Sequence, residues 1–144
     1  MPVQTNLMKP FEFLIGNWEL DYIIPQSSFH AAATEKGAGT FCRVLNKRYV
    51  VFDYTTESGG AAHGIFGWDD KIQLYRYWWF ENSGAFLTAT CKFISDNTLY
   101  MQWHDSLFVQ TFTEINTRTV RLRMELPDAQ GKYELIMEVM LRRK

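Results

Sequence analysis

Apolar and polar residues alternate along most of this chain, and the alternation has a period of two. Successive side chains of an extended strand point to opposite faces, so such a run buries one face and wets the other. Across residues 17–24, Trp18, Leu20, Tyr22 and Ile24 share a face against Asn17, Glu19 and Asp21, and Pro25 ends the run. Residues 34–45 read as a second strand and Asn46-Lys47 as a short hairpin turn. A third strand covers 48–56, before Ser58-Gly59-Gly60 breaks the chain. A fourth strand covers 62–68 and ends at Asp69-Asp70. The fifth, 72–81, has Tyr75, Tyr77 and Trp79 on one face and Leu74, Arg76, Trp78 and Phe80 on the other. Asn82-Ser83-Gly84 turns it into strands six and seven, 85–94 and 98–104, joined across Asp96-Asn97. An eighth follows at 106–115, with Asn116-Thr117 as its turn.

The ninth strand alternates most cleanly: Val120, Leu122, Met124 and Leu126 against Thr119, Arg121, Arg123 and Glu125. After the loop 127–131, the tenth is expected to point Tyr133, Leu135, Met137, Val139 and Leu141 inward, with Glu134, Glu138 and Arg142 outward. Only residues 7–15 read as helix, with Pro10 in its first turn and Gly16 at its end. Short strands joined by hairpin-length connections without intervening helices cannot form a parallel sheet. The prediction is an all-β fold: an antiparallel up-and-down barrel of about ten strands, which also removes exposed strand edges. No repeat or domain boundary is evident, so residues 1–144 are expected to form one domain.

Composition changes this picture in two ways. Five Trp, seven Tyr and eleven Phe make 16% of the chain aromatic, which suits a pleated half-buried surface and also the wall of an apolar cavity. Fifteen basic against sixteen acidic residues leave a net charge of −1, which argues against nucleic acid as a partner. Three basic residues at 142–144 are too few for a polybasic membrane anchor, and no stretch approaches the roughly 20 apolar residues of a membrane helix. Residues 1–30 carry no basic stretch followed by a long apolar run, and Cys42 and Cys91 form no CxxC pair. A soluble, cytoplasmic protein with reduced thiols is the expectation.

Gly16-Asn17-Trp18, opening the first strand after a short helix, resembles the Gly-x-Trp signature of lipocalin-like (calycin) barrels. The resemblance implies that Trp18 lies across the closed end of a barrel, against Arg142 or Arg143 from the last strand. Residues 44–54, Gly67-Trp68-Asp69, the series Tyr75, Trp79, Glu81 and Gly84, and the basic ending 141–144 are together similar to an uncharacterised, mainly bacterial family of lipocalin-like domains. Lys47 and Phe52 depart from its usual pattern, which has Gly and an acidic residue there. The likeness spans about 11–144 and implies a fold while leaving activity open. Its motif positions favour Tyr75, Tyr77 and Trp79 as the interior set of the fifth strand. A related barrel family binds haem through a late histidine; here no histidine follows His104, and no cofactor is expected.

Little in the sequence points to catalysis. His30, His63 and His104 are isolated, without the HxH or HExxH spacing that places two imidazoles on one metal, and no GxSxG elbow occurs. Asp69-Asp70 after a strand reads as a turn. The aromatic cluster around 75–80, with Trp68 and Trp103, is the strongest hint. A binding protein for a small hydrophobic or amphipathic molecule is therefore expected. Its wall would be Tyr22, Tyr54, Tyr75, Tyr77, Trp79 and Trp103, with Arg48 or Arg76 contacting an acidic head group. An inward Arg76 would require a carboxylate partner or an anionic ligand; an outward one would sit in a surface ion pair. The competing readings are a filled barrel that forms a homodimer through aromatic surface, and an enzyme using a tyrosine, Asp53 or Glu81 as proton donor.

Overall fold

The computed structural model describes residues 7–144, so the first residues of the stretch read for a leader lie outside it. A short 3-10 helix, η1 (Lys9–Leu14), precedes ten strands. These are β1 (Gly16–Ile24), β2 (Ala33–Val44), β3 (Tyr49–Thr56), β4 (Ala61–Asp69), β5 (Leu74–Glu81), β6 (Phe86–Ser95), β7 (Thr98–Trp103), β8 (Val109–Asn116), β9 (Thr119–Pro127) and β10 (Tyr133–Arg143). Each strand pairs antiparallel with its sequence neighbours, and β1 also pairs with β10, closing a ten-stranded up-and-down barrel. At that seam Trp18 lies opposite Arg143 and Leu20 opposite Leu141. No helix among the described residues is long and apolar enough to cross a membrane.

The core is the barrel interior, filled by one parity of every strand. Leu20, Phe41, Val50, Phe66, Tyr77, Leu99, Met101, Phe112, Val120 and Leu141 are all buried there. Short η1 plugs one end: Phe11 and Leu14 are fully buried, and the Phe11 ring centroid lies 5.0 Å from Phe66, 4.9 Å from Tyr75 and 5.1 Å from Phe93. The helical segment read over 7–15 is thus a single 3-10 element, since a six-residue stretch opened by Pro10 is too short to propagate an α-helix.

Trp18 completes this closed end. Its indole Nε1 donates to the Leu14 carbonyl at 2.8 Å, and the Arg143 guanidinium carbon sits 4.2 Å from the ring centroid. Arg143 also donates to the carbonyls of Ile15 (2.6 Å), Phe13 (3.0 Å) and Thr117 (3.1 Å), tying η1, β1 and the β8–β9 turn together. Gly16 is required twice over. Its φ of +135° suits only glycine, and a Cβ there would stand 2.4 Å from a guanidinium nitrogen of Arg143.

Three local readings of the sequence are corrected by the structure. The β2–β3 connection is a four-residue turn, Leu45-Asn46-Lys47-Arg48, whose first three residues are left-handed (φ 52°, 58° and 64°). Arg48 therefore belongs to an exposed turn and not to the third strand. Left-handed Gln73 and Asp105 delay the starts of β5 and β8 to Leu74 and Val109 in the same way. In β10 a register shift between Leu135 and Met137 breaks the alternation, so Tyr133 is exposed and Ile136 is buried, while Met137, Val139 and Leu141 face inward.

Candidate functional site

The end opposite η1 is open. There the interior widens into a cavity of about 470 Å³. Its wall is largely aromatic: Tyr22 from β1, Phe52 and Tyr54 from β3, Tyr77 and Trp79 from β5, Trp103 from β7, and Phe108 and Phe112 around β8. Leu20, Leu122, Met124, Met137, Val139 and Leu141 supply the aliphatic part. The rings interlock, with Phe52 stacked on Tyr54 at 4.5 Å and Trp103 set edgewise to Tyr77 at 5.6 Å and Trp79 at 6.2 Å.

Glycines make this arrangement fit. Tyr77 lies directly over Gly64 of β4, where a Cβ would come within 1.9 Å of the phenol oxygen. Gly39 of β2 likewise leaves room for the rings of Phe52 and Tyr54.

The polar groups inside are few, and four of them bond one another in two pairs. Trp79 Nε1 donates to the Tyr54 hydroxyl at 2.8 Å, which leaves the Tyr54 proton free to point into the cavity. Trp103 Nε1 donates to the Gln110 side-chain oxygen at 3.2 Å, and Gln110 is the one buried polar residue of the described core, at 5% exposure. Burial pushes the Tyr22, Tyr54 and Tyr77 phenols above their ordinary range, and the charges of Glu35 at Tyr22 and Glu81 at Tyr54 add to the shift. All three therefore remain neutral hydroxyls at physiological pH.

At the mouth, Glu35 and Glu81 sit at inward-pointing positions of β2 and β5 beside Thr56 and Ser58. Glu35 accepts from the Ser58 backbone N–H at 2.9 Å, and hydrogen bonds from Ser58 hold its carboxyl below the usual range. Glu81 accepts from Ser83 at 2.7 Å. No lysine, arginine or histidine of the described residues lines the cavity.

Of the residues singled out from sequence, Tyr22, Tyr54, Tyr77, Trp79 and Trp103 line this cavity together. Tyr75 points inward too, but at the plugged end, where its hydroxyl donates to the Leu7 carbonyl. Both arginines stand elsewhere. Arg48 occupies the exposed β2–β3 turn at the plugged end. Arg76 has outward parity on β5, and its Nε donates to Asp69 at 2.6 Å in a partly exposed ion pair. Asp53, weighed as a proton donor, is also outside, bonded to His63 on the outer wall. His104 bonds Thr88 at 2.8 Å, His30 is exposed, and no group of three metal-ligating side chains occurs among the described residues.

The structure adds Glu35, Gln110 and Phe108 to the cavity. The signal for Gln110 was available, because it stands two residues before Phe112 and shares its inward parity. Glu35 precedes Gly37, Gly39 and Phe41 on the same face of β2, but the two glycines leave that face without an apolar stripe to read.

Fold and cavity together define a closed ten-stranded antiparallel β-barrel, plugged at one end and open at the other through an aromatic chamber. No family model and no curated protein matches the chain. Among solved structures it is similar to Rv2717c from M. tuberculosis, with a TM-score of 0.67 at 9% identity over 100% of this chain and 99% of that one. A de novo designed fluorescence-activating β-barrel aligns with a TM-score of 0.43 at 14% identity, covering 92% of this chain and 95% of the other. A protein of unknown function from the DUF3598 family of Nostoc punctiforme aligns over 100% of both chains with a TM-score of 0.29 at 8% identity. The first likeness supports the barrel fold and carries no activity with it.

Proposed function

We propose that this chain is a binding protein that holds one small hydrophobic or amphipathic molecule in the open half of its barrel. The observation that carries this reading is the aromatic cavity of about 470 Å³, sized for a small ligand and walled by rings that are already interlocked. A barrel of this size is filled by side chains unless inward positions are left short, and here the short residues Gly60, Ala61 and Ala62 line the open end. Kinship with lipocalin-like barrels belongs to the same proposal. It is supported by the Trp18–Arg143 closure beneath a short N-terminal plug. So does a reducing, cytoplasmic setting, in keeping with free thiols at Cys42, exposed on β2, and Cys91, buried inside β6.

Native mass spectrometry of freshly purified protein is expected to reveal a retained small molecule or, in its absence, one-to-one uptake of a neutral aromatic probe. Quenching of Trp79 and Trp103 fluorescence should saturate at the same stoichiometry. A protein that takes up no probe saturably contradicts the proposal.

One observation favours a second reading, a homodimer. Phe80 and Phe86 lie opposite each other on the outer wall, 48% and 72% exposed, beside half-buried Trp78 and Ile65. Sedimentation across a concentration series tests it, and a strict monomer at high concentration removes it.

A further inference from the structure

The cavity has a chemical polarity that its apolar wall conceals. Its inner half offers neutral hydrogen-bond donors. Tyr77 is 3% exposed and lines the chamber with its phenol against Gly64, while the Tyr54 hydroxyl accepts from Trp79 and keeps its own proton to donate. Its outer rim offers only negative charge. Glu35 and Glu81 both take inward strand positions at the mouth, on opposite sides of the β3–β4 hairpin, and no cationic side chain of the described residues lines the chamber to balance them.

The charge pattern along the barrel axis has the same sense. The connections at the open end carry Glu57, Asp105 and Asp128 against Lys132. Those at the plugged end carry Lys47, Arg48, Lys71 and Arg118 against Asp70 and Asp96. Lys36, the other lysine near the mouth, is committed to Asp21 at 2.6 Å on the outer face. An approaching ligand therefore meets a negative field at the entrance, which raises the local concentration of cations and repels anions.

We infer that the ligand class of this cavity is an amphipathic cation: an aromatic or alicyclic body with a hydrogen-bond acceptor, seated among Tyr54, Tyr77, Trp79 and Trp103, and a protonated amine held at the mouth by Glu35 and Glu81. The inference rests on the cavity reading above and reverses the acidic head group expected from sequence. Arg48 and Arg76, which would have held such a group, stand outside the chamber. Both carboxylates are partly exposed, so an ammonium beside either one keeps part of its hydration. The deep phenols stay protonated and donate to the body of the ligand. Aromatic rings near the rim, Tyr22 and Trp79 among them, add a cation–π surface for the methylenes next to the charge.

The test uses the full chain and three probes that share one ring system: 1-pyrenemethylamine, 1-pyrenemethanol and 1-pyrenecarboxylate. Binding is read from tryptophan quenching at low and high salt. The amine is expected to bind at least about tenfold tighter than the carboxylate at low salt, with the ratio shrinking as salt screens the rim. The Glu35→Gln, Glu81→Gln double variant should remove most of that ratio, read as amine against carboxylate affinity in the same protein, while the alcohol still binds saturably. A carboxylate that binds as tightly as the amine, or a ratio unchanged in the double variant, overturns the inference while the alcohol still reports a working cavity. Failure of all three probes to saturate overturns the cavity reading and this inference with it.

Discussion

Arg143 reaches from the last strand across the plugged end, covers the Trp18 ring and donates to three backbone carbonyls on separate elements. Hydrogen bonds from a charged donor are worth about 1.5–3 kcal/mol each when they are not left to water, so Arg143→Met is expected to cost about 2–4 kcal/mol in urea denaturation. Its neighbour Arg142 pairs with Asp21 on an exposed surface, and Arg142→Met should cost under about 1 kcal/mol. Equal losses for the two would contradict the closure described for this end. Gly64 is the second decisive position: Gly64→Ala drives a methyl into the Tyr77 phenol and should cost about 1–3 kcal/mol together with a loss of probe affinity.

The interior tyrosines set the alkaline limit of the fold. Their phenols titrate above the ordinary value of 10.0 in the folded chain, so the folded state holds protons that the unfolded chain releases. Stability is therefore complete below pH 10 and declines as pH rises past it. In a spectroscopic titration Tyr22 and Tyr77 should ionise only with unfolding. Ionisation of all seven in one ordinary step would contradict their burial.

At the scale of elements, most of the strands were legible because period-two patterning survives wherever one face is buried. β1 and β9 show this best, with Trp18, Leu20 and Tyr22, and Val120, Leu122 and Met124, all facing inward. What the sequence concealed lies in backbone conformations that no side-chain pattern reports. Left-handed Leu45, Asn46 and Lys47 moved Arg48 out of its strand, and the β10 irregularity near Ile136 reversed the facing of Tyr133. Arg76 was ambiguous from sequence because both faces of β5 are aromatic, and only the β4–β5 register with its Asp69 partner places it outside. The cavity rings were legible as rings, whereas the rim was not, because Glu35 follows no pattern that separates a mouth carboxylate from a solvated one. The plug is the element whose removal is most informative. Phe11→Ala deletes the ring packed on Phe66, Tyr75 and Phe93 and is expected to cost about 3–5 kcal/mol by thermal or urea unfolding. A loss below 1 kcal/mol would mean that η1 does not seal the barrel.

For the whole molecule, closure depends on pairing residues 18–23 with 138–143, contacts that span nearly the full chain. Such a seam is costly in loop entropy to form, and it leaves no free strand edge once made. Asymmetry follows from what enters the tube: η1 and Trp18 fill one end, while short residues leave the other hollow. The negative entrance and positive base extend this asymmetry into the surrounding field.

The central claim is that a ligand enters this hollow end and no other part of the molecule. The five indole N–H signals in a nitrogen–proton correlation spectrum test it directly, because the tryptophans divide by position. Trp79 and Trp103 line the chamber, Trp18 lies in the plugged end, Trp68 packs against Tyr75 there, and Trp78 faces outward. Titration with 1-pyrenemethanol is predicted to shift Trp79 and Trp103 to saturation at one equivalent while Trp18, Trp68 and Trp78 stay in place. Shifts confined to Trp78, or no saturable shift at all, would contradict it.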